Sequence, residues 1–491
     1  MFLELDGNGD LYTQLARALR RAIVEGRMPV GTRLPSTRAL AQDLSLSRNT
    51  VLTAYEMLHV EQLLESRTGA GTFVAAGPSA VKSAMPRAAA DAADATVAAP
   101  SRYAARLRKL APLRLRSPAP APRYELQYGE PIVDLRLATA WRRALGRAVT
   151  RSDLRYAPAA GLPELRRAIS EHLARRRGIT CAADDVIVVS GAQQAVSLAL
   201  RVLVDEGDGV AIEDPGYPLI DRALRAHGAS VRAVPVDAAG LVVAQLPAAG
   251  VRVVLVTPSH QFPTGAVMSL ERRRALLAYA GRHGAWIVED DYDGEFRFGG
   301  PLQPALRSLD AAGRVLYVGS FSKVLFPALR LGYLVVPRGL RDDLLRAKLL
   351  DDLGCPGLSQ LALAELMASG AFERHLRHAT AELKRRRAAL LAGLAAHCAR
   401  HVTVHDAGAG MHVVGWLRGW SEPEVESLVG LALERGVGVQ SIGPHFRRAN
   451  APCGLLLGYA AASAKQLGAA TALLGACLDE VRPRRALRAP A

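Results

Sequence analysis

The sequence predicts an α/β protein in which a small N-terminal α+β domain precedes a large domain built on a mainly parallel sheet. Three observations support this prediction. Helical and strand-like patterns succeed one another within residues 1–77, residues 78–123 are rich in Ala, Pro and Arg, and apolar runs alternate with helical patterns from about residue 124. At 491 residues, 50% of them hydrophobic, the chain is long enough for two or three domains with a large core.

The first domain opens with three helical patterns. Apolar residues share one helical face across positions 10–26. Ser36 is placed to cap a short second helix, and Ser47 is placed to cap a third helix that runs to about Glu61.

A hairpin follows the third helix. Residues 63–67 and 71–75 have strand character, and Gly69-Ala70-Gly71 supplies the turn between them. Three helices followed by a two-stranded wing make a winged helix-turn-helix. The apolar residues of the third helix expected in its core are Val51, Leu52, Tyr55 and Leu58.

Residues 78–123 are predicted to be a linker, because they show little hydrophobic periodicity. Within them, residues 102–110 favour a short basic helix, interpreted as a solvated tether rather than a transient DNA contact. The linker holds nine Lys or Arg and two Asp, whereas residues 1–77 hold eight Arg and eight acidic residues. The chain's net charge of +16 therefore does not come from the first domain. A coding bias toward Arg explains the surplus as well as nucleic-acid binding does.

The large domain alternates short apolar strands with helices such as the one at 270–283, which is typical of a parallel sheet covered by helices. Later helices and strands predict a smaller α+β subdomain at about 375–485 within the domain 124–491. The predicted strands are 186–189, 209–213, 251–256, 285–289, 315–318, 402–405, 411–417 and 454–459.

The five cysteines are scattered and form no CxxC or Cys/His cluster, so neither a metal site nor a disulfide framework is expected. The N-terminus lacks the basic and apolar regions of a signal peptide, and no apolar stretch reaches membrane-spanning length. The chain is therefore expected to be cytoplasmic, with no membrane partner.

One lysine stands in an unusual setting. Lys323 closes the segment Gly319-Ser320-Phe321-Ser322-Lys323 and is one of six lysines in a chain with 56 arginines. A lysine can form an imine with an aldehyde, which an arginine cannot. Ser320, Ser322 and Arg330 are suited to binding a phosphate beside that imine. The combination predicts pyridoxal 5'-phosphate (PLP) as cofactor.

Two further segments fit this cofactor. The predicted strand 186–189 leads through Ser190-Gly191-Ala192-Gln193 into a helix, whose N-terminus is a natural anion site. Glu289-Asp290-Asp291-Tyr292-Asp293 follows another predicted strand, where a carboxylate could keep a pyridine nitrogen protonated. An acidic loop that binds Mg²⁺ or solvent is the alternative for this second segment.

These segments together resemble the MocR/GabR subfamily of GntR-type bacterial regulators, whose large domain is similar to PLP-dependent fold-type I aminotransferases. The resemblance covers nearly the whole chain apart from the linker. The matching segments are 33–38, 46–51, 155–166, 190–194, 213–217, 257–265, 289–293, 319–323 and 330–333.

The resemblance implies a role for each cofactor residue. Lys323 would form the Schiff base, Asp290 would face the pyridine nitrogen, and Tyr292 would lie near the phenolic oxygen. Tyr217 would line the effector pocket, and Tyr156 would reach the phosphate held by the other subunit of a homodimer. The residues implied as phosphate ligands are Ala192, Gln193, Ser320, Ser322 and Arg330.

The resemblance also implies a double-stranded DNA operator as partner. Arg48, Asn49 and Thr50 would occupy the first turn of the recognition helix, where side chains reach base edges. Arg38 would contact the groove or the backbone. The residues implied at the wing are Gly71 and Thr72.

Two positions depart from working aminotransferases. Phe262 stands where an asparagine usually contacts the phenolic oxygen, and His260 or Gln261 is the candidate to compensate. Leu456 stands where an arginine usually binds a substrate carboxylate. An amino-acid substrate is therefore expected to bind poorly, and the effector is PLP itself or an amine anchored by a residue such as Arg447 or Arg448.

The predicted function is a PLP-dependent transcriptional regulator that senses PLP, an amine or an amino acid. The two departures at Phe262 and Leu456 favour a regulator over an active enzyme, and enzyme activity stays an open alternative. The alternatives are an active aminotransferase with an appended DNA-binding domain, and a DNA-binding protein that uses the large domain only to dimerise.

Overall fold

A computed structural model of the chain describes residues 5–76, 99–110, 121–152, 155–299, 304–405, 408–448 and 451–482. It divides into two compact units, 1–99 and 100–491. Most of the predicted linker lies outside the described residues. No helix in the described ranges is both long and apolar enough to cross a membrane.

The N-terminal unit has the predicted helices and wing. Its elements are α1 (Leu11–Val24), α2 (Thr37–Asp43), α3 (Arg48–Val60), β1 (Leu64–Arg67) and β2 (Gly71–Val74). The Ser36 hydroxyl accepts a hydrogen bond from the backbone N–H of Ala39 at 3.2 Å, and the Ser47 hydroxyl from that of Thr50 at 3.0 Å. Both predicted caps are therefore present, and they fix where α2 and α3 begin. β1 and β2 pair antiparallel.

One of the four predicted core positions on α3 is wrong. Val51, Tyr55 and Leu58 are buried, but Leu52 is 45% exposed. Adjacent helical positions point about 100° apart, so burying Val51 turns Leu52 toward the outside of the helix.

The second unit begins with a short helix and contains all remaining elements. Its helices are α4 (Arg102–Arg108), α5 (Leu135–Arg151), α6 (Pro163–Arg177), α7 (Ala192–Leu203), α8 (Pro218–His227), α9 (Leu270–His283), α10 (Leu306–Leu309), α11 (Arg341–Asp352), α12 (Gly357–Ala368), α13 (Ala371–His397), α14 (Glu422–Glu434) and α15 (Ala464–Val481). Its strands are β3 (Tyr124–Glu125), β4 (Val186–Val189), β5 (Gly209–Asp214), β6 (Ser230–Asp237), β7 (Gly240–Leu241), β8 (Val251–Val256), β9 (Trp286–Asp291), β10 (Val315–Ser320), β11 (Gly332–Val335), β12 (Val402–Val404), β13 (His412–Leu417), β14 (Val437–Gly438), β15 (Gln440–Ser441) and β16 (Gly454–Gly458).

The large sheet confirms the prediction of a mainly parallel α/β fold. Its strand order is β4-β11-β10-β9-β8-β5-β6-β7. The pairs from β10 through β6 are parallel, whereas β11 runs antiparallel to both of its neighbours and β7 antiparallel to β6. β4, β5, β8 and β9 are buried along nearly their whole length, which explains their continuous apolar runs.

The prediction ended this strand at Glu289 and placed Asp290 and Asp291 after it, and that boundary is wrong. Glu289, Asp290 and Asp291 are the last three residues of β9 itself, and all three are buried. Strand propensity misplaces this boundary because carboxylates are depleted in strands. Here hydrogen bonds and ion pairs hold two of them: Glu289 accepts from the backbone N–H groups of Leu306 and Arg307, and Asp291 pairs with Arg177.

The smaller α+β subdomain is present. Its four-stranded antiparallel sheet has the order β12-β13-β16-β15. Helices α13, α14 and α15 pack with it through a shared apolar core that includes Leu383, Leu394, Leu428, Leu474 and Leu478.

The helix α4, in the predicted linker, belongs to the second unit and packs against α8. The Arg106 guanidinium donates to the carbonyl oxygens of Ala226 at 2.8 Å and His227 at 3.2 Å, and pairs with Glu206 at 2.9 Å. These carbonyls are at the C-terminus of α8, where a cation is favourable. The interpretation of this helix as a solvated tether is therefore wrong.

We expect Arg106→Ala to release α4 from α8. Hydrogen bonds to a charged group contribute about 1.5–3 kcal/mol each, so amide exchange in residues 102–110 should rise roughly tenfold or more. Hydrogen-exchange mass spectrometry would measure the change. Arg108→Ala, on the exposed side of the same helix, is the matched control. Equal exchange in both variants would show that Arg106 does not hold the helix.

Candidate cofactor site and nucleic-acid interface

The carboxyl ends of β4, β5, β8, β9 and β10 meet at one edge of the large sheet, because these strands run in the same direction. Ligands of open α/β sheets bind outside this edge. The predicted cofactor residues that follow these strands are Ala192 and Gln193, Tyr217, His260, Tyr292, and Ser322 and Lys323.

Lys323 lies in the loop after β10 and is half-buried. Its Nζ donates to the carbonyl oxygen of Gly129 at 3.0 Å and lies 4.7 Å from the ring centroid of Tyr128. Gly129 has φ of +123°, and a Cβ built there would lie 3.3 Å from the lysine Nζ. The ε-amino group therefore lies against the backbone of a glycine, which has no side chain in the way, and against the face of an aromatic ring.

Asp290 is 7% exposed, and its Oδ1 has no hydrogen-bond partner among the residues that the structure describes. Burial, together with the nearby charges of Asp291, Glu213 and Asp293, raises the pKa of Asp290 to about 7. A buried carboxylate oxygen without a donor is costly, and a protonated pyridine nitrogen would supply both a donor and a positive charge. This observation fits PLP.

We expect Asp290→Asn to raise the stability of the PLP-free protein at pH 8. The pKa of Asp290 is raised by folding, so the stability that protonation contributes is present below about pH 4 and is lost as pH rises through about 7. Removing the charge should recover up to about 4 kcal/mol, at ~1.4 kcal/mol for each tenfold change in acid dissociation.

The same variant should lose most of the stabilisation that PLP gives. Thermal melting at pH 5 and pH 8, with and without PLP, measures both effects, and exposed Asp343→Asn is the control. A variant that PLP stabilises as well as the wild type would argue against the pyridine role.

The predicted phosphate ligands border a narrow backbone junction. Gly191 precedes α7 with φ of +103°, and a Cβ built at Gly332 would lie 3.0 Å from the Gly191 Cα. A Cβ built at Gly191 would also lie 3.5 Å from the Arg330 guanidinium. The start of α7, the end of β10 and Arg330 therefore come together, and Ala192 and Ser320 lie at this junction with them.

Two predicted phosphate ligands, Ser320 and Gln193, have side chains that are hydrogen-bonded elsewhere or exposed. The Ser320 hydroxyl accepts the Ser322 N–H at 3.2 Å, a contact that still leaves its own proton to donate. Gln193 is exposed in the first turn of α7, so its backbone rather than its side chain is placed for an anion. The phosphate roles stay predictions.

A cluster of rings forms the wall beside Lys323. Phe262 lies 5.1 Å from Tyr128, 5.6 Å from Tyr217 and 5.7 Å from Tyr292, measured between ring centroids. The Tyr292 hydroxyl lies 3.0 Å from Nδ1 of His260. The structure therefore brings Tyr217, Tyr292 and His260 together around Phe262.

Of the two candidates to compensate for Phe262, the structure favours His260. The Gln261 amide nitrogen donates to the carbonyl oxygens of Pro215 and Phe262, at 2.8 and 2.6 Å, and lies 3.2 Å from Glu213 Oε2. The Gln261 amide nitrogen therefore already has its hydrogen-bond partners in the surrounding loop. His260 instead contacts Tyr292 and also lies 3.0 Å from Asp293 Oδ2.

Two expectations concern residues at the rim. Tyr156 is 90% exposed in the single chain, so its role toward another subunit stays a prediction. Arg447 pairs with Asp221, and its backbone N–H donates to Asp214 at 2.9 Å. Arg448 instead lies over the Phe446 ring at 5.2 Å. Arg225 contacts the same Asp221 carboxylate at 2.9 Å, so Arg447 shares its counter-ion, and a role for either arginine as effector anchor stays a prediction.

Sequence reasoning missed several residues of this site. Tyr128 and Gly129 contact Lys323 from more than 190 positions earlier in the chain, and no pattern in a single sequence reveals so distant a pairing. Glu213, in the matching segment 213–217, is buried, and burial raises its pKa to about 7. His412 lies 4.9 Å from His260 between ring centroids, and its Nε2 donates to the Pro263 carbonyl.

His260, Asp293 and His412 offer possible ligand atoms within 4.8 Å of one another. His260 and Asp293 already lie within hydrogen-bond distance, and burial lowers the pKa of His412 well below its usual value. Hydrogen bonds account for only part of this arrangement, because Asp293 Oδ1 and His412 Nδ1 have no hydrogen-bond partner among the described residues.

The candidate nucleic-acid interface lies at the start of α3. Arg48 and Asn49 are exposed in its first turn, and Arg38 is exposed on α2. The Thr50 N–H and hydroxyl both contact Ser47, so Thr50 stabilises the cap as well as standing beside the exposed pair. On the wing, Gly71 has φ of +111°, and a Cβ there would lie 3.2 Å from Arg33 Nε, while Thr72 is half-buried.

Comparisons with known proteins match both units. The model of the gntR family of bacterial regulatory proteins matches residues 11–74, and the model of aminotransferase class I and II matches residues 125–443. The kynurenine aminotransferase of Pyrococcus horikoshii, solved with PMP, is 26% identical over 73% of this chain and 91% of that one, with a TM-score of 0.67. The α-aminoadipate aminotransferase LysN of Thermus thermophilus, complexed with N-(5'-phosphopyridoxyl)-L-leucine, is 28% identical over 73% and 92%, with a TM-score of 0.65.

Curated relatives extend the match across both domains. The probable rhizopine catabolism regulatory protein MocR of Rhizobium meliloti is 37% identical over 95% of this chain and 93% of the relative. The HTH-type transcriptional regulator TauR of Rhodobacter capsulatus is 39% identical over 76% and 77%. The chain therefore belongs to the MocR/GabR subfamily of GntR-type transcriptional regulators, which join a winged helix-turn-helix to a fold-type I aminotransferase-like domain.

Proposed function

We propose that this regulator holds PLP covalently on Lys323 and that occupancy of the pocket changes its binding to a DNA operator. The observation that carries the proposal is Asp290 Oδ1, a buried oxygen without a hydrogen-bond partner among the described residues, because a protonated pyridine nitrogen would supply the donor it lacks. PLP supplies an electron-withdrawing pyridinium ring when bound. Asp290 would keep the ring nitrogen protonated, and Arg330 with the start of α7 would hold the phosphate.

The protein's own groups would position the cofactor and limit its chemistry. Tyr292 would donate toward the phenolic oxygen, with His260 holding the tyrosine hydroxyl at 3.0 Å. Phe262 would exclude water from that side of the ring without donating a hydrogen bond. Tyr217, 40% exposed, would cover the outer face of the pocket.

On the DNA side, Arg48, Asn49 and Thr50 would enter the major groove, with Arg38, Gly71 and Thr72 contacting backbone or minor groove. A homodimer is proposed, with Tyr156 reaching the partner's phosphate site. Two DNA-binding domains would then contact two half-sites.

The alternative function is an active aminotransferase, which the presence of both Lys323 and Asp290 in the chain favours. Multiple-turnover transamination with a panel of amino acids separates the two. We expect no sustained turnover, because Leu456 provides no partner for a substrate carboxylate. A turnover number in the ordinary enzyme range of about 1–1000 s⁻¹ would instead make catalysis the main activity.

The regulatory proposal is tested by titrating purified protein on its own upstream intergenic DNA, with and without PLP. We expect specific binding whose affinity or footprint changes with PLP. Identical binding isotherms and footprints for the PLP-free and PLP-loaded protein would contradict the proposed coupling.

A further inference from the structure

Leu456 lies on the face of β16 that is directed away from the main core. Its neighbours Leu455 and Leu457 belong to the large apolar core, whereas Leu456 belongs to a separate small cluster. This alternation is that of a strand whose two faces pack against different surroundings. The residues of this group, called here the Leu456 cluster, are Phe262, Val414, Ile442 and Leu456.

The Leu456 cluster is one ring away from the lysine. Tyr128 and Tyr292 both pack against it. Tyr128 lies 5.1 Å from Phe262 on one side and 4.7 Å from Lys323 Nζ on the other. The two departures from working aminotransferases, Phe262 and Leu456, therefore form a single apolar wall beside Tyr128 and Tyr292.

The two arginines that follow Phe446, which packs on the cluster, are exposed rather than buried beside it. Arg447 pairs with Asp221, a carboxylate that Arg225 also contacts, and Arg448 lies over the Phe446 ring. Burial lowers the pKa of His445 to about 4 and that of His412 well below its usual value, so neither is charged at neutral pH. A ligand carboxylate pressed against the Leu456 cluster would lose its hydration without gaining a cation.

Acidic groups lie near Tyr292. Burial, followed by the charges of Asp293, Tyr128, Asp290 and Glu213, raises the pKa of the Tyr292 phenol well above its usual value. In their ionised form, these carboxyl groups would repel an anionic ligand. An amino group is compatible with the same place, because the Gly129 carbonyl and the Tyr128 ring already hold the amine of Lys323.

We propose that the effector of this regulator is a primary amine that carries no carboxylate, with its uncharged body packed on Phe262 and Leu456. The proposal rests on the proposed function, since it concerns the PLP-loaded pocket. The candidate effectors were PLP itself, an amine or an amino acid. The proposal selects one of these classes, the amines without a carboxylate.

The test compares each amino acid with the amine that remains when its carboxylate is removed. PLP-loaded protein is titrated with phenylalanine against 2-phenylethylamine, and with leucine against 3-methylbutylamine. Cofactor absorbance and operator affinity are followed in parallel. We expect each amine to bind at least tenfold tighter than its amino acid and to shift operator affinity. Equal or tighter binding of the amino acids, or binding of neither, would overturn the proposal.

Substitutions at Leu456 test whether the Leu456 cluster causes the preference for amines over amino acids. Leu456→Arg should reverse the preference and raise amino-acid affinity by roughly tenfold to a hundredfold, the range of a hydrogen bond to a charged group. Leu456→Gln introduces a polar side chain without charge, so it should neither reverse the preference nor raise amino-acid affinity. If Leu456→Arg does not fold, the wild-type comparison still decides the proposal. Failure of the proposed function is visible separately, as absence of a PLP absorbance band before any amine is added.

Discussion

Lys323→Ala is expected to abolish covalent retention of PLP. Wild-type protein incubated with PLP and desalted should absorb near ~420 nm, as lysine-bound PLP generally does, and the variant should not. Lys323 is the lysine whose Nζ lies in the pocket, 3.0 Å from the Gly129 carbonyl and one aromatic ring from the Leu456 cluster. Any response of operator affinity to PLP should disappear with the band.

Two further variants make this result specific. Lys323→Arg keeps the charge but cannot form an imine, so it should also lack the band. Lys465→Ala, an exposed lysine on α15, should behave as the wild type. A Lys323→Ala protein that kept the band after desalting would mean that another lysine holds the cofactor.

Arg48→Ala is expected to reduce operator affinity by about tenfold to a hundredfold per half-site. A side chain bidentate to a base contributes about 1–3 kcal/mol of discrimination, and Arg48 is exposed in the first turn of α3. PLP retention should be unchanged, because Arg48 belongs to the N-terminal unit. Fluorescence anisotropy with operator and with scrambled DNA measures the specific part.

Arg27→Ala controls for loss of charge alone. Arg27 is an exposed arginine of the same unit, paired with Glu25 at 2.6 Å and outside α2, α3 and the wing. It should reduce binding to operator and scrambled DNA by similar small factors. If both arginine variants bind operator alike, the proposed role of Arg48 is wrong.

Local rules predicted the N-terminal unit and the parallel strands well. Ser36 and Ser47 cap the helices they were expected to cap, and the apolar runs of β4 and β8 have the predicted bounds. β6 was missed because residues such as Arg232 are exposed, which removes the continuous apolar signal. The end of β9 was missed because the contacts that hold Glu289 and Asp291 there depend on tertiary structure.

The residues of the candidate site also fall into two groups, those that local sequence predicts and those that depend on the fold. Lys323, Asp290 and Arg330 stand in motifs with a chemical rationale of their own, so sequence could predict them. Tyr128 and Glu213 could not be predicted, because their importance comes from contacts across the fold. The shared cluster of Phe262 and Leu456 is likewise visible only in three dimensions, since nearly 200 positions separate the two residues.

The central claim is that the ε-amino group of Lys323 binds PLP. It is tested most directly by treating PLP-loaded protein with borohydride, digesting it and locating the pyridoxyl group by mass spectrometry. The account predicts one modified peptide, with the modification on Lys323. A pyridoxyl group on a different lysine, or none after hydride treatment, would contradict it.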